Sequence, residues 1–206
     1  MRNVTDSDVN PTEADGTSLS LLERVKNQDR SAWERLGQLY GPLILHWCRL
    51  KGLQAADAEN VRQEVFIAIH RAVGEFRREP PQLTFRRWLR TITKNKIIDH
   101  VRQEGKQPAA VGGDEWQRRI EELSADLPDD DSSAHEEKSL LVRRALDLLR
   151  TDFEPQTWTA FWRVRIDGLS ARAVAEELHI SAGAVYTACY RVRNRLEAEF
   201  AGLIED

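Results

Sequence analysis

Two groups of side chains in this chain are suited to binding nucleic acid. Tyr186, Thr187, Tyr190, Arg191 and Asn194 fall on one face of a helix predicted to start after Ser181. Phenol, hydroxyl, guanidinium and amide groups at that spacing can bond base edges and phosphates. Arg193 and Arg195 add positive charge to the same segment. The second group lies in Thr84–Gln107, where Arg86, Arg87, Arg90, Lys94, Lys96, Arg102 and Lys106 stand against only Asp99 and Glu104. This chemistry is recognition rather than bond breaking. The five histidines, His46, His70, His100, His135 and His179, lack metal-ligand spacing. No Gly-rich phosphate loop and no nucleophile–base arrangement is present in the sequence, so neither a cofactor, a metal nor an enzymatic role is expected.

The element that must position the first group is a pair of helices over 168–196. Ser170 is a predicted N-cap, with Val174 and Leu178 four apart behind it. His179-Ile180 makes the turn, with Ile180 as its buried plug, and Ser181 caps the second helix. Val185, Cys189, Val192 and Leu196 form that helix's apolar stripe. On pattern alone the segment fits a DNA-reading helix-turn-helix better than the alternative, a helical hairpin with a solvated polar face.

Helical periodicity also dominates Leu19–Gln103. A first helical pair is predicted to break near Asp29, and Gly41-Pro42 predicts a bend before Leu43–Leu50. Gly52 reads as a helix stop, and Asp57 lies near the start of an amphipathic helix with Val61, Val65, Phe66, Ile69 and Val73 inward. Pro80-Pro81 is a break, after which Thr84 caps a helix from Phe85 to about Arg102. Residues 105–138 have linker composition, with Pro108, Gly112-Gly113, Pro128 and an acidic run at 129–131. Trp116, Ile120 and Leu123 allow a short helix within it. Leu140, Leu141, Ala145, Leu148, Leu149, Trp158, Phe161 and Trp162 then restore helical spacing. The expected fold is all-α: a disordered tail (1–18), a helical domain (19–104), a flexible acidic linker (105–138) and a second helical domain (139–206).

The net charge of −4 is the wrong sign for a stand-alone DNA binder, whose affinity comes largely from neutralising phosphates. The acids sit in the tail, the linker and along Asp57, Glu59 and Glu64, away from the two basic groups. That division fits a DNA binder that also docks on a positively charged partner. No apolar run is long enough to span a bilayer and the N-terminus lacks an apolar signal segment, so membrane insertion is not expected and a cytoplasmic location is. Cys48 and Cys189 each lie on an apolar helical face and read as core thiols.

Three motifs in register resemble the extracytoplasmic-function (ECF) group of bacterial RNA polymerase sigma factors. They are DAENVRQEVFIAIHR (57–71), FRRWLRTITKNKIIDHVRQ (85–103) and GLSARAVAEELHISAGAV (168–185). The resemblance implies a region-two domain, a short linker and a region-four domain. Asp57, Asn60, Gln63 and Glu64 would dock on the clamp helices of the polymerase's largest subunit, while the flap would contact the second domain. Asn95 would take a base of the minus-ten element, with Arg86, Arg87, Arg90, Lys94 and Lys96 on phosphates. Tyr186, Thr187, Tyr190 and Arg191 would read the minus-thirty-five element in the major groove, with Arg193 and Arg195 on the backbone. Such a protein works through promoter recognition, DNA melting and transcription initiation, and an anti-sigma protein is a partner the family often has.

The chain departs from the family where Tyr186 and Thr187 replace a basic residue and a serine, where His70 replaces a common tryptophan, and in the tryptophan-rich stretch 153–168. Trp88 is expected in the core beside Leu89 and Ile92, and Trp158 and Trp162 in the core of the second domain. The rival reading is a two-domain helix-turn-helix transcriptional regulator. Such a regulator has no reason to carry the basic 85–102 helix.

Overall fold

The computed structural model describes residues 20–77, 84–104, 118, 120–123 and 131–204. The expectations for the tail, Pro80-Pro81, Lys106, Pro108, Gly112-Gly113, Trp116 and Pro128 lie outside these residues. Eight helices carry the described fold: α1 (Leu21–Lys26), α2 (Arg30–Leu50), α3 (Ala55–Ala72), α4 (Phe85–Glu104), α5 (Asp131–Leu149), α6 (Pro155–Arg165), α7 (Ala171–Leu178) and α8 (Ala182–Phe200). Short 3₁₀ turns follow α3 and α5, and no strand occurs among the described residues.

Local chemistry sets the helix ends. Ser20 and Glu23 form a reciprocal capping box on α1. Asp29 caps α2 through the N–H groups of Ser31 and Ala32, at the predicted break. Gly52, at φ +77°, ends α2 in a Schellman turn: its N–H bonds Arg49 O (2.9 Å) and that of Leu53 bonds Cys48 O (3.1 Å).

The bend expected at Gly41-Pro42 does not break the helix, because α2 runs through it from Arg30 to Leu50. Proline leaves the carbonyl four residues earlier without its helical donor. That carbonyl belongs to Gln38, and Arg144 Nε supplies the missing bond at 3.0 Å. A side chain from α5 thus stands in for a backbone group of α2.

The first four helices close around Leu36, Leu39, Tyr40, Leu43, Ile44, Trp47, Val65, Ile69, Phe85 and Leu89, all fully buried. Removing each such aliphatic side chain from water contributes about 1.5–3 kcal/mol. Trp88 is half-buried and packs as expected, 5.0 Å from Phe76 and 5.3 Å from Phe85 between ring centroids. The last three helices enclose a smaller core of Ala160, Ala171, Val174, Ala175, Val185, Ala188 and Cys189. Trp158 is buried against Phe161 and Phe153, with the half-buried Trp162 at 6.0 Å.

Helix α5 corrects the expected linker. It begins at Asp131, so residues 131–138 are helical, and it packs along α2 rather than only against the second helical group. Leu141, Ala145, Leu146 and Leu149 enter the same apolar cluster as α2. The helical piece at 120–123 joins it through Leu123, which is 5% exposed. Packing on α2 removes that apolar stripe from water.

Candidate nucleic-acid interface

Helix α4 forms because Thr84 caps it, accepting the N–H of Arg87 at 3.2 Å. Phe85, Leu89, Thr93, Ile97 and Val101 face inward, with the Thr93 hydroxyl satisfied by Leu89 O at 2.9 Å. The four-residue repeat leaves Arg87, Thr91, Asn95 and Asp99 exposed on the opposite face. Lys94 and Lys96 flank Asn95 and are half-buried. Arg87 and Asn95 are therefore accessible, with Lys94 and Lys96 partly so on either side of Asn95.

Arg86 and Arg90 do not join them. Arg86 is 6% exposed, and its Nη1 donates to Glu137 Oε2 at 2.9 Å and to Ala134 O at 3.2 Å. Arg90 Nη2 lies 3.7 Å from the other oxygen of Glu137. In this arrangement the guanidinium groups of both, expected on DNA phosphates, face α5 instead. Composition places Glu137 in the linker and so hides it as a partner. Its signal is register: it sits four before Leu141 and eight before Ala145, on the apolar stripe of α5.

Helix α3 presents Asn60, Gln63 and Glu64 to solvent, with Ile67 (44% exposed) a turn further on. Asp57 turns toward α4, where His100 Nε2 lies 3.5 Å from its carboxylate. Glu64 reaches Lys96 at 3.7 Å. The expected docking face is thus split: Asn60 and Gln63 look outward, while the two acids also tie α3 to α4. Between the helices lies a polar cleft of about 470 Å³ lined by Asn60, Gln63, Glu64, Lys96, Asp99 and His100.

The second interface is built by α7 and α8. Ser170 Oγ accepts the N–H of Ala173 at 3.2 Å and Ser181 Oγ that of Ala184 at 3.1 Å, the two caps expected. His179 takes the left-handed conformation (φ 55°) that turns the chain between them, and Ile180 packs half-buried on the small core. Val185, Cys189 and Val192 are buried as predicted, and Leu196 is half-buried. Tyr186 and Tyr190, at 66% and 61% exposure, stand four apart on the outer face with Thr187 and Arg191. The Thr187 hydroxyl bonds back to Gly183 O at 2.9 Å. Asn194 is half-buried.

Arg193 pairs with Glu197 (3.3 Å) and stays largely accessible. Arg195 is held instead by Glu199 (2.7 Å) and Asp152 (3.4 Å). Glu199 also pairs with Arg35 of α2 and is 3% exposed. Arg195, expected on backbone phosphate, thus shares its guanidinium with two carboxylates of the same chain while remaining partly exposed. Glu199 is the second residue that sequence reasoning misses, and it too lies on an apolar stripe, seven after Val192.

Among the described residues no group of three or more His, Cys, Asp or Glu is placed to hold a metal. No described helix is long and apolar enough to cross a membrane.

Residues 36–107 match the family described as Sigma-70 region 2, a span that runs from within α2 to just past α4. The chain is 27% identical to the ECF RNA polymerase sigma factor SigM of Mycobacterium tuberculosis over 82% of this chain and 76% of that protein. It is 28% identical to SigW of Bacillus subtilis over 88% of this chain and 96% of the relative. With the ECF sigma-E factor of Escherichia coli the identity is 24%, over 91% and 96%. A solved structure of CnrH in complex with the cytosolic domain of CnrY covers 86% of this chain and 93% of its own at 20% identity. Its TM-score of 0.35 is low, and the assignment rests on the sequences. A matched region-two segment carrying the polar face of α3 and the basic face of α4, with relatives aligned along most of their length, places the chain among the extracytoplasmic-function sigma factors of RNA polymerase.

Proposed function

We propose that the three outward faces divide the work of promoter-directed initiation. Asn60, Gln63 and Glu64 on α3, with Asp57 beside them, dock on the clamp helices of core polymerase. Arg87, Lys94, Asn95 and Lys96 on α4 hold the opened minus-ten strand, with Asn95 on a base and the cations on phosphates. Tyr186, Thr187, Tyr190, Arg191 and Arg193 on α8 engage the minus-thirty-five major groove. The domains follow as 19–104 and a region-four unit, with α5 entering the second unit earlier than its composition indicates. The protein acts in the cytoplasm by binding, with no catalytic residue of its own. An anti-sigma partner would have to cover the α4 and α8 faces.

The observation that carries this reading is the exposure of two separate nucleic-acid faces on an acidic chain. Each face alone is a weak binder. Carried on one polymerase, their contacts become intramolecular and reinforce each other. In vitro transcription with core polymerase and a promoter library is the test: the full chain should direct initiation from a defined subset of promoters. Tight duplex binding without polymerase, together with no stimulated initiation, would instead establish the operator-binding regulator.

A further inference from the structure

The carboxylate of Glu137 occupies a socket made entirely by the other helical group. Trp47 Nε1 donates to its Oε1 at 2.7 Å, Arg86 Nη1 to its Oε2 at 2.9 Å, and Arg90 approaches Oε1 at 3.7 Å. Glu137 is 3% exposed and Arg86 6%, so water screens the contact little. Two guanidinium groups and an indole N–H converging on two oxygens also suit a phosphate.

Around the apolar contacts of Leu141, Ala145, Leu146 and Leu149, further polar groups cross the seam. Tyr40 OH donates to Leu203 O at 2.6 Å, Arg35 binds Asp152, Glu199 and Leu148 O, and Arg144 bonds Gln38 O.

We propose that Glu137 is an intramolecular latch. Its carboxylate stands where a nucleic-acid phosphate would sit on Arg86 and Arg90, and it holds α5, with the helix-turn-helix behind it, against α2 and α4 while the protein is free. Engaging nucleic acid through these two arginines requires α5 to leave. The inference rests on the reading that α4 is a nucleic-acid surface, and it adds two cations to that surface in the open form.

The test uses the free full-length chain. Spin labels at Arg30→Cys and Arg172→Cys, both highly exposed, report the separation of α2 from α7, while Cys48 and Cys189 stay buried and unlabelled. Single-stranded oligothymidylate is the nucleic-acid probe, titrated at several salt concentrations. The wild type should show one narrow distance distribution. Glu137→Gln should broaden it toward longer distances and steepen the slope of log K against log salt by about 1.4, since each of two newly neutralised single-strand phosphates adds about 0.7. The exposed neighbour Glu136→Gln should do neither. Trp47→Phe keeps both charges and most of the ring's bulk, and should open the seam in the same direction, so a folding defect in Glu137→Gln leaves the question decidable. An unchanged distance distribution in both variants overturns the latch, and so does opening without a steeper salt slope. Transcription by holoenzyme carrying Asn95→Ala or Lys94→Ala tests the promoter reading separately, and its failure would leave the distance and salt results standing.

Discussion

Arg144 Nε bonds the main-chain carbonyl of Gln38 at 3.0 Å, filling on α2 the place that Pro42 leaves without a donor. The bond crosses between the two helical groups, so one side chain contributes both to the continuity of α2 and to the docking of α5. Arg144→Ala should lower stability by about 1 kcal/mol. In the Pro42→Ala background, where the alanine restores the missing N–H, the same change should cost less. A urea-denaturation double-mutant cycle measures the coupling, and simple additivity would refute the substitution of one donor for the other.

Arg191 and Arg195 lie four residues apart on α8 and should separate cleanly by assay. Arg191 is exposed on the outer face, and Arg191→Ala should weaken holoenzyme binding to the cognate promoter by about 1–3 kcal/mol with little change in melting temperature. Arg195 belongs to the ion pairs with Glu199 and Asp152. Arg195→Ala should cost about 1 kcal/mol of stability and leave promoter affinity near wild type. Equal loss of promoter affinity in both variants would return Arg195 to the DNA face.

Glu199 is the buried centre of a network that joins α2 to α8 through Arg35. Glu199→Ala leaves Arg35 with Asp152 and the Leu148 carbonyl but without its buried carboxylate, and should destabilise by about 3 kcal/mol. Thermal melting of the full chain checks it. A shift no larger than that of an exposed control such as Glu176→Ala would contradict the buried role.

Asp29 should shape the acid limb of the stability curve. Its bond from Arg24, then those from Ser31 and the Ala32 N–H, hold the carboxyl at about 2, against 3.8 for the free side chain. A carboxylate depressed in the folded state contributes stability fully above its unfolded pKa, and loses it as pH falls through the folded one. The contribution is therefore complete above about pH 4 and lost toward pH 2. Asp29→Asn should remove that dependence while keeping part of the cap, so the two proteins' stabilities should converge between those limits.

Cys48 is fully buried on α2, and burial pushes its thiol up to about 12. At pH 8 roughly one in ten thousand molecules would carry the reactive thiolate in the folded state. Cys189 is raised in the same direction by the same cause. Native protein should therefore react slowly with a disulfide reagent, and denatured protein should release two thiols rapidly. Fast reaction under native conditions would show that these cores open locally.

The helix-turn-helix is legible residue by residue because its determinants are local. Ser170 and Ser181 announce caps, and the 185–189–192–196 spacing fixes which face of α8 turns inward. Tyr186 and Tyr190 follow on the outer face by arithmetic alone. The basic helix is equally legible in extent, from Thr84 onward, but not in the fate of each cation. Arg86 and Arg87 are neighbours in the same charge run, yet about 100° of helical rotation puts one in a buried socket and the other in water. Glu137 is hidden by composition, because the acids around it resemble a linker even though its register places it on an apolar stripe.

The sequence by itself determined most of the helices with their caps and faces, the acidic balance and the motifs of a sigma factor, because these depend chiefly on residues within a few turns of one another. Only the tertiary structure decided that α5 packs along α2, that Pro42 is accommodated by Arg144, and that Arg86, Arg90 and Arg195 serve carboxylates of the same chain. Those outcomes rest on pairings between residues 35 and 199, 38 and 144, and 86 and 137, and charge alone does not distinguish a cation awaiting a phosphate from one already answered inside the protein.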